Sequence, residues 1–186
     1  IDEKKKEEKE KEELIKTLNH LSTTDSLTGL FNRRALNDML GHEINRAGRY
    51  DTDLSLIICD VDLFKQINDI YGHAAGDRAL MAVSEALRRT LRKADILGRY
   101  GGDEFMIILP ETSLAGAQSL AEKVRAAVEG LELELPGSKR TGLTLSIGVA
   151  GCCMPEDNLD TLVSLADAAL YTSKEAGRNK ISTMKR

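Results

Sequence analysis

Tryptophan is absent, and only three phenylalanines and four tyrosines occur in 186 residues. Proteins that hold single-stranded nucleic acid stack its bases on aromatic side chains, and this chain has too few for such a platform. Nor is there a basic excess: 26 Lys and Arg face 30 Asp and Glu, a formal net charge of −4. Wrapping a phosphate backbone needs the opposite balance, so no nucleic-acid polymer is expected as a partner. No apolar run reaches membrane-spanning length and no signal peptide is visible. Membrane contact is therefore expected only if a region upstream supplies it, and the first residue, Ile1 rather than Met, is the mark of a fragment of a longer chain. Cysteine is scarce too. Cys59, Cys152 and Cys153 form no C-x-x-C pair and no Cys/His cluster at zinc spacing. They read as reduced thiols in a cytoplasmic domain.

What is present is 41% hydrophobic residues, enough for one domain with its own core plus an appendage. Residues 2–13 are almost wholly Asp, Glu and Lys, with opposite charges three or four apart, as in Lys4 with Glu8 and Glu7 with Lys11. Leu14, Leu18 and Leu21 then follow at a 4–3 spacing. Residues 1–23 thus read either as a coiled-coil stalk or as a solvated helix leading into a domain at 24–186.

Within that domain Asn32 caps a helix running to about Tyr50, and Leu54 to Cys59 is a buried strand ending in Asp60. Phe64 to Ile70 is a short helix, and a turn around Gly72 and Gly76 leads to a longer one over Ala79 to Leu91. Ile96 to Tyr100 and Phe105 to Leu109 form a hairpin around Gly101-Gly102-Asp103-Glu104. Leu114 to Val128 is helical, Leu143 to Ala150 a strand, and Leu159 to Ala176 a helix closed by Gly177, with a last strand at Lys180 to Thr183. Alternating helices and strands with a hairpin give an α+β fold, a mixed or antiparallel sheet with helices packed on it.

Two acidic pairs stand out, Asp60-Val61-Asp62 at a strand end and Asp103-Glu104 at the hairpin tip. Carboxylates converging there bind hard cations, Mg²⁺ or Mn²⁺, and two such ions serve in-line nucleotidyl transfer. The D-x-D pattern alone is short and common, and taken by itself it describes acids facing water. Lys65 follows the first pair, and the spacing of Lys174 and Arg178 puts both cations on one helix face, where they clamp phosphates or simply favour the helix end. Asn68 and Asp77 flank the glycine-containing turn. A carboxylate suits the N1 and N2 donors of guanine better than adenine, although a cap and a turn residue describe the pair as well.

In combination these segments carry a resemblance. Arg99-Tyr100-Gly101-Gly102-Asp103-Glu104-Phe105 contains the signature of the GGDEF family, the diguanylate cyclase domains. The stretch Asp25 to Arg34 (DSLTGLFNRR) resembles the family's opening motif. Asp60 to Asp69 (DVDLFKQIND) with Tyr71 to Asp77 (YGHAAGD) resembles its nucleotide-binding stretch, Leu145 to Val149 its penultimate strand, and Ala166 to Asn179 its closing helix. The match runs over residues 24–183 in the family's order.

The resemblance implies a palm-like fold of the nucleotidyl cyclases and polymerases, with a mostly antiparallel central sheet surrounded by helices. It implies that two GTP are condensed into cyclic di-GMP with release of two pyrophosphates, with two Mg²⁺ (or Mn²⁺) per active site. By carry-over, Asp60 and Asp103 ligate metal through their side chains and Val61 through its carbonyl. Asp103 also accepts the 3′-hydroxyl proton, with Glu104 supporting metal or hydroxyl activation. Lys65, Lys174, Arg178 and the amides around Leu63 and Phe64 stabilise the phosphates, Asn68 and Asp77 read guanine, and Gly101 and Gly102 admit the ligand to a tight turn. One domain holds one GTP, so a homodimer is expected to face two half-sites. Arg92-x-x-Asp95 resembles the family's inhibitory product site for cyclic di-GMP, with Lys123 and Arg125 as local candidates for a second cation. The alternatives are a silent domain that binds GTP or cyclic di-GMP as a signalling module, and a cyclase acting on another nucleotide. The presence of Asp60, Asp103, Glu104 and Lys65 favours the enzyme.

Overall fold

A computed structural model of the chain describes residues 23–135, 139–152 and 158–185. The expected stalk over residues 1–23, its Leu14–Leu21 seam and Cys153 lie outside them, apart from Thr23. Among the described residues five helices and seven strands alternate: α1 (Arg33–Tyr50), β1 (Leu54–Val61), α2 (Phe64–Tyr71), α3 (His73–Thr90), β2 (Ile96–Arg99), β3 (Glu104–Pro110), α4 (Leu114–Glu129), β4 (Glu132–Leu135), β5 (Lys139–Gly142), β6 (Leu145–Gly151), α5 (Leu159–Glu175) and β7 (Ile181–Met184).

The main sheet has the order β2-β3-β1-β6-β7, antiparallel throughout except for the parallel pair β6–β7. This is the α+β, mostly antiparallel architecture expected. β1 is central and buried along its whole length, which is why it reads as a continuous apolar run rather than an alternating one. Its two faces still divide by the period of two. Ile57, Cys59 and Val61 join Leu80, Val83 and Leu87 of α3 and Ala117, Ala121 and Val124 of α4 in one core. Leu54, Leu56 and Ile58 join Leu36, Leu40 and Ile44 of α1 and Leu162, Ala166 and Leu170 of α5 in the other. Asp60 therefore continues the face covered by α1 and α5.

Caps follow the sequence. Asn32 Oδ1 accepts the Ala35 amide at 3.0 Å to start α1, and Asn158 with Thr161 forms a reciprocal capping box for α5. Three local expectations change. The first is the turn at Gly76: α3 begins at His73, so only Gly72 (φ 82°) turns the chain and Gly76 lies buried inside the helix. A Cβ at Gly76 would run into Asn68 Oδ1 and Phe64 Cζ, so this glycine serves the close contact between α2 and α3. The second is a hairpin, β4–β5, that forms its own two-stranded sheet where no element was expected. The third is the strand expected from Leu143, which starts at Leu145.

Candidate active site

β1 and β3 run antiparallel with Asp60 directly opposite Glu104. Two acids in cross-strand register repel, and a cation from α5 offsets the charge: Lys174 Nζ lies 2.8 Å from Asp60 Oδ2. Burial makes Asp60 hold its proton more tightly than an ordinary aspartate; Asp103 and Asp62 reinforce this and Lys174 opposes it. Glu104 is shifted the same way, first by burial and then by Asp60, Asp167 and Asp103. The β2–β3 turn brings in Asp103, whose carbonyl accepts the Val61 amide at 3.1 Å, so the tip of the hairpin is sewn to the end of β1.

That turn is held from a distance. Arg99 donates through Nε and Nη2 to the Gly102 carbonyl (3.2 and 2.7 Å), while its Nη1 reaches both oxygens of Asp25 (3.2 and 3.1 Å). Asp25 also accepts the Thr28 amide and hydroxyl. Burial works to raise its carboxyl, but Thr28 and Arg99 together hold it below the usual range. The opening motif thus serves as a brace for the signature turn. Gly101 and Gly102 differ: a Cβ on Gly101 would press on Glu104 Oε2 at 2.6 Å, whereas Gly102 faces open space.

The D-x-D pair separates into two roles. Asp62 accepts from Thr144 Oγ1 (2.7 Å), Ser146 Oγ (2.6 Å) and the Asn179 amide (3.0 Å), and it is buried. Its lone pairs are spent on protein donors, so it is a tie between β1, β6 and the segment after α5. Asn179 continues the tie. Its Oδ1 accepts from Arg125 at 2.8 Å and its Nδ2 donates to Glu129 at 2.7 Å. The placement of Lys174 and Arg178 on one helix face is overturned. α5 ends at Glu175, and Gly177, Arg178 and Asn179 all take positive φ (106°, 62° and 47°), a left-handed run that no helix continues. Arg178 is exposed there.

On the other side of the strand end, Leu63 (φ 57°) turns the chain into α2, leaving the first amides of that helix without helical partners beside exposed Lys65. Asn68 on α2 sits against Gly76, and Asp77 is the exposed residue after it on α3. The contact of α2 with α3, rather than a turn, sets Asn68 against the residue that precedes Asp77.

Arg92 and Asp95 are paired, but inwardly. Asp95 has no exposed side-chain surface and accepts both the Arg92 amide (2.9 Å) and its guanidinium (3.2 Å), while Arg92, 62% exposed, also reaches Thr112 Oγ1. A depression of about 310 Å³ beside them is lined by Arg88, Lys93, Leu91 and Leu97. Arg88, on the last turn of α3, is the cation sequence reading missed; Arg92 lies beyond the end of that helix, so no helical spacing signalled the pair. Arg125 lies elsewhere, engaged with Glu122, Glu129 and Asn179. Cys59 is buried, and burial pushes its thiol far up, which makes it inert. No described helix is long and apolar enough to cross a membrane.

Comparison with known proteins agrees with this geometry. The family model for the diguanylate cyclase GGDEF domain matches residues 22–180. A probable diguanylate cyclase, DgcC of Escherichia coli, is 40% identical over 161 residues, 86% of this chain and 43% of DgcC. Diguanylate cyclase DosC of the same species is 42% identical over 161 residues, 87% of this chain and 35% of its own length. The crystal structure of the coiled coil and GGDEF domain of DgcB from Caulobacter crescentus, in complex with c-di-GMP, superposes with a TM-score of 0.93 at 30% identity. It covers 98% of this chain and 96% of that one. Diguanylate cyclase SiaD of Pseudomonas aeruginosa, crystallised with its activator SiaC, gives 0.84 at 36% identity, over 98% of this chain and 69% of SiaD. The solved structures this chain superposes on share this α+β architecture and are GGDEF domains. The chain belongs to the GGDEF domain family. It spans less than half the length of these curated relatives.

The family implies a divalent cation, and the donor set fits one. Asp60, Asp103 and the Val61 carbonyl are hard oxygen donors, and the acids crowd each other in a way that an added cation relieves. Among the described residues no three His, Cys, Asp or Glu side chains form a cage of their own.

Proposed function

We propose that the domain is a diguanylate cyclase: two GTP become cyclic di-GMP with loss of two pyrophosphates. The observation that carries this is the cross-strand pair Asp60–Glu104, with Lys174 ion-paired to Asp60 and the Asp103 carbonyl tied to the Val61 amide. Asp60, Asp103 and the Val61 carbonyl would hold Mg²⁺ or Mn²⁺, two ions per site, which supply charge neutralisation for in-line transfer.

The amides at Leu63 and Phe64, with Lys65, Lys174 and Arg178, hold the triphosphate; Asn68 and Asp77 read guanine. Asp103 takes the proton of the attacking 3′-hydroxyl. Glu104, whose carboxyl is raised by burial and neighbours, is suited to assist in that transfer. One domain carries one GTP, so two copies must face each other. The presence of a coiled coil in the similar DgcB structure supports that reading. The buried Asp95 partner and the depression beside it support a product site at Arg92, with Asp95 orienting the guanidinium and Arg88 alongside. The domain works in the cytoplasm, and membrane contact arises only if an upstream region supplies it.

The test is to incubate the chain with GTP and Mg²⁺, dimerised through an N-terminal leucine-zipper fusion, and resolve products by chromatography beside an Asp103→Ala control. Cyclic di-GMP from the parent alone is the expected result. Tight GTP binding without product would replace this reading with that of a silent signalling domain.

A further inference from the structure

Arg178 and Asn179 are consecutive non-glycine residues in the left-handed region, at φ 62° and 47°. Asparagine visits that region readily, whereas an arginine there is strained. Strain of this kind persists only where the surroundings over-determine the backbone. The Arg178 amide donates to the Ser173 carbonyl at 3.1 Å, and the Asn179 amide to Asp62 Oδ2 at 3.0 Å. One residue further on, the Lys180 carbonyl accepts the Ile147 amide at 2.9 Å. The side chain of Asn179 then closes a ring with α4. Arg125 Nη1 donates to Asn179 Oδ1 and to Glu129 Oε2, both at 2.8 Å, and Asn179 Nδ2 donates to Glu129 Oε1 at 2.7 Å. Turning the Asn179 amide over would set donor against donor and acceptor against acceptor, so the ring fixes its orientation. The Arg125 side chain is only 17% exposed, and its Nε and Nη2 are taken up by Glu122.

We propose that Arg125 and Asn179 are positioning residues for Arg178, fixing the direction in which its guanidinium meets the triphosphate of the bound GTP. The inference rests on the diguanylate cyclase reading, which gives Arg178 to the phosphates. A tie that only joined α4 to β7 could be made through a relaxed turn. Here it is made at the residue beside Arg178, and the strain falls on the one that carries the exposed cation. The bend is also set from the acids: Asp62, which holds the Asn179 amide, stands two residues beyond Asp60 at the same strand end. A free arginine loses rotamer and backbone freedom when it grips a phosphate, and that loss offsets part of the bond. Locking the backbone beforehand removes part of that cost. Arg125 acts through Asn179, because its Nε, Nη1 and Nη2 are all engaged within the fold and none is left to meet a ligand. Its planar fork is what spans Glu122, Glu129 and Asn179 together, a geometry that a lysine ammonium cannot reproduce.

The experiment measures kcat and KM for GTP, with Mg²⁺, on the zipper-dimerised chain and on its Arg125→Ala, Arg125→Lys, Asn179→Gly and Arg178→Ala variants. The double variant Arg125→Ala/Arg178→Ala and a control, Glu122→Ala, run beside them. Asn179→Gly keeps the left-handed backbone open and removes only the ring, and it carries the test alone if Arg125→Ala does not fold. Both Arg125 variants and Asn179→Gly are expected to raise KM about three- to tenfold, the scale of one lost hydrogen bond, with kcat within about twofold. The retained kcat also reports that they fold. Arg125→Ala should raise KM no further once Arg178→Ala is present, because an effect carried by Arg178 cannot be lost twice. Glu122→Ala removes only an exposed partner of Arg125 and should leave KM within about twofold. Unchanged KM in Arg125→Ala and Asn179→Gly, beside a raised KM in Arg178→Ala, overturns the inference. So does a fully additive loss in the double variant, or a rise in Glu122→Ala equal to that in Arg125→Ala, either of which makes the ring general scaffold. A parent that makes no cyclic di-GMP, or an Arg178→Ala variant with unchanged KM, sinks the underlying reading instead, and the inference with it.

Discussion

Asp60 and Asp62 stand two residues apart, and the fold treats them oppositely. Asp60 faces Glu104 and Asp103 with one lysine to offset three acids, and it ionises reluctantly. Asp62 is surrounded by the Thr144 and Ser146 hydroxyls and the Asn179 amide, a full set of donors. The front acid is left short of compensation, which leaves it able to take a cation and phosphates. The rear acid is saturated and fastens β1, β6 and the Arg178 segment together. Where two carboxylates look alike in sequence, the donors around each tell function from scaffold.

The strongest way to sharpen this contrast is to neutralise each acid in turn. Asp60→Asn is expected to lower cyclic di-GMP formation by about 10²–10³-fold, the scale of a lost electrostatic stabiliser. Its melting temperature without divalent ions should hold or rise, because the substitution removes a charge that burial and neighbours disfavour. Asp62→Ala should reverse the balance: it strands three donors and costs about 2–4 kcal/mol in denaturant unfolding. It should also raise KM for GTP as Arg178 loses its anchor. A drop in stability for Asp60→Asn larger than that for Asp62→Ala would break the comparison.

Gly76→Ala is the next in size. Pressing a methyl group on Asn68 and Phe64 should cost about 1–3 kcal/mol and weaken discrimination of GTP from ATP, measured as a ratio of kcat/KM. Asp25→Asn removes the brace on Arg99, with a smaller expected loss, about 1 kcal/mol or less given partial exposure, and a lower kcat. The smallest effect is in pH. Asp25 has a folded pKa below its unfolded value, so its contribution is present above the unfolded value near 3.9 and is lost as pH falls through the folded one. Asp60, Glu104 and Asp167 bind protons more tightly when folded, so acidification through their range adds stability. Thermal melts from pH 6 to pH 3 should thus fall less steeply for Asp25→Asn and more steeply for Asp60→Asn than for the parent.

Much of this was legible in the chain. The Asn32 and Asn158 caps and the continuous apolar run of β1 are local signals, and the fold kept them. The hairpin at Gly101-Gly102 was equally plain, because turn chemistry is read from neighbours. The helical start at His73 was obscured because Gly76 mimics a turn residue, and only the approach of Phe64 and Asn68 shows why glycine is there. The β4–β5 hairpin escaped because two short strands pairing mainly with each other give little periodic pattern.

By itself the sequence determined the period of each element, the acids at a strand end and a turn, and through the signature the family of the domain. Only the tertiary structure decided which acid would be compensated. It paired Arg99 with Asp25 across 74 positions and bent Arg178 off the helix of Lys174. Hydrogen bonds and burial between distant segments are properties of packing, and packing is not written in the spacing of neighbours.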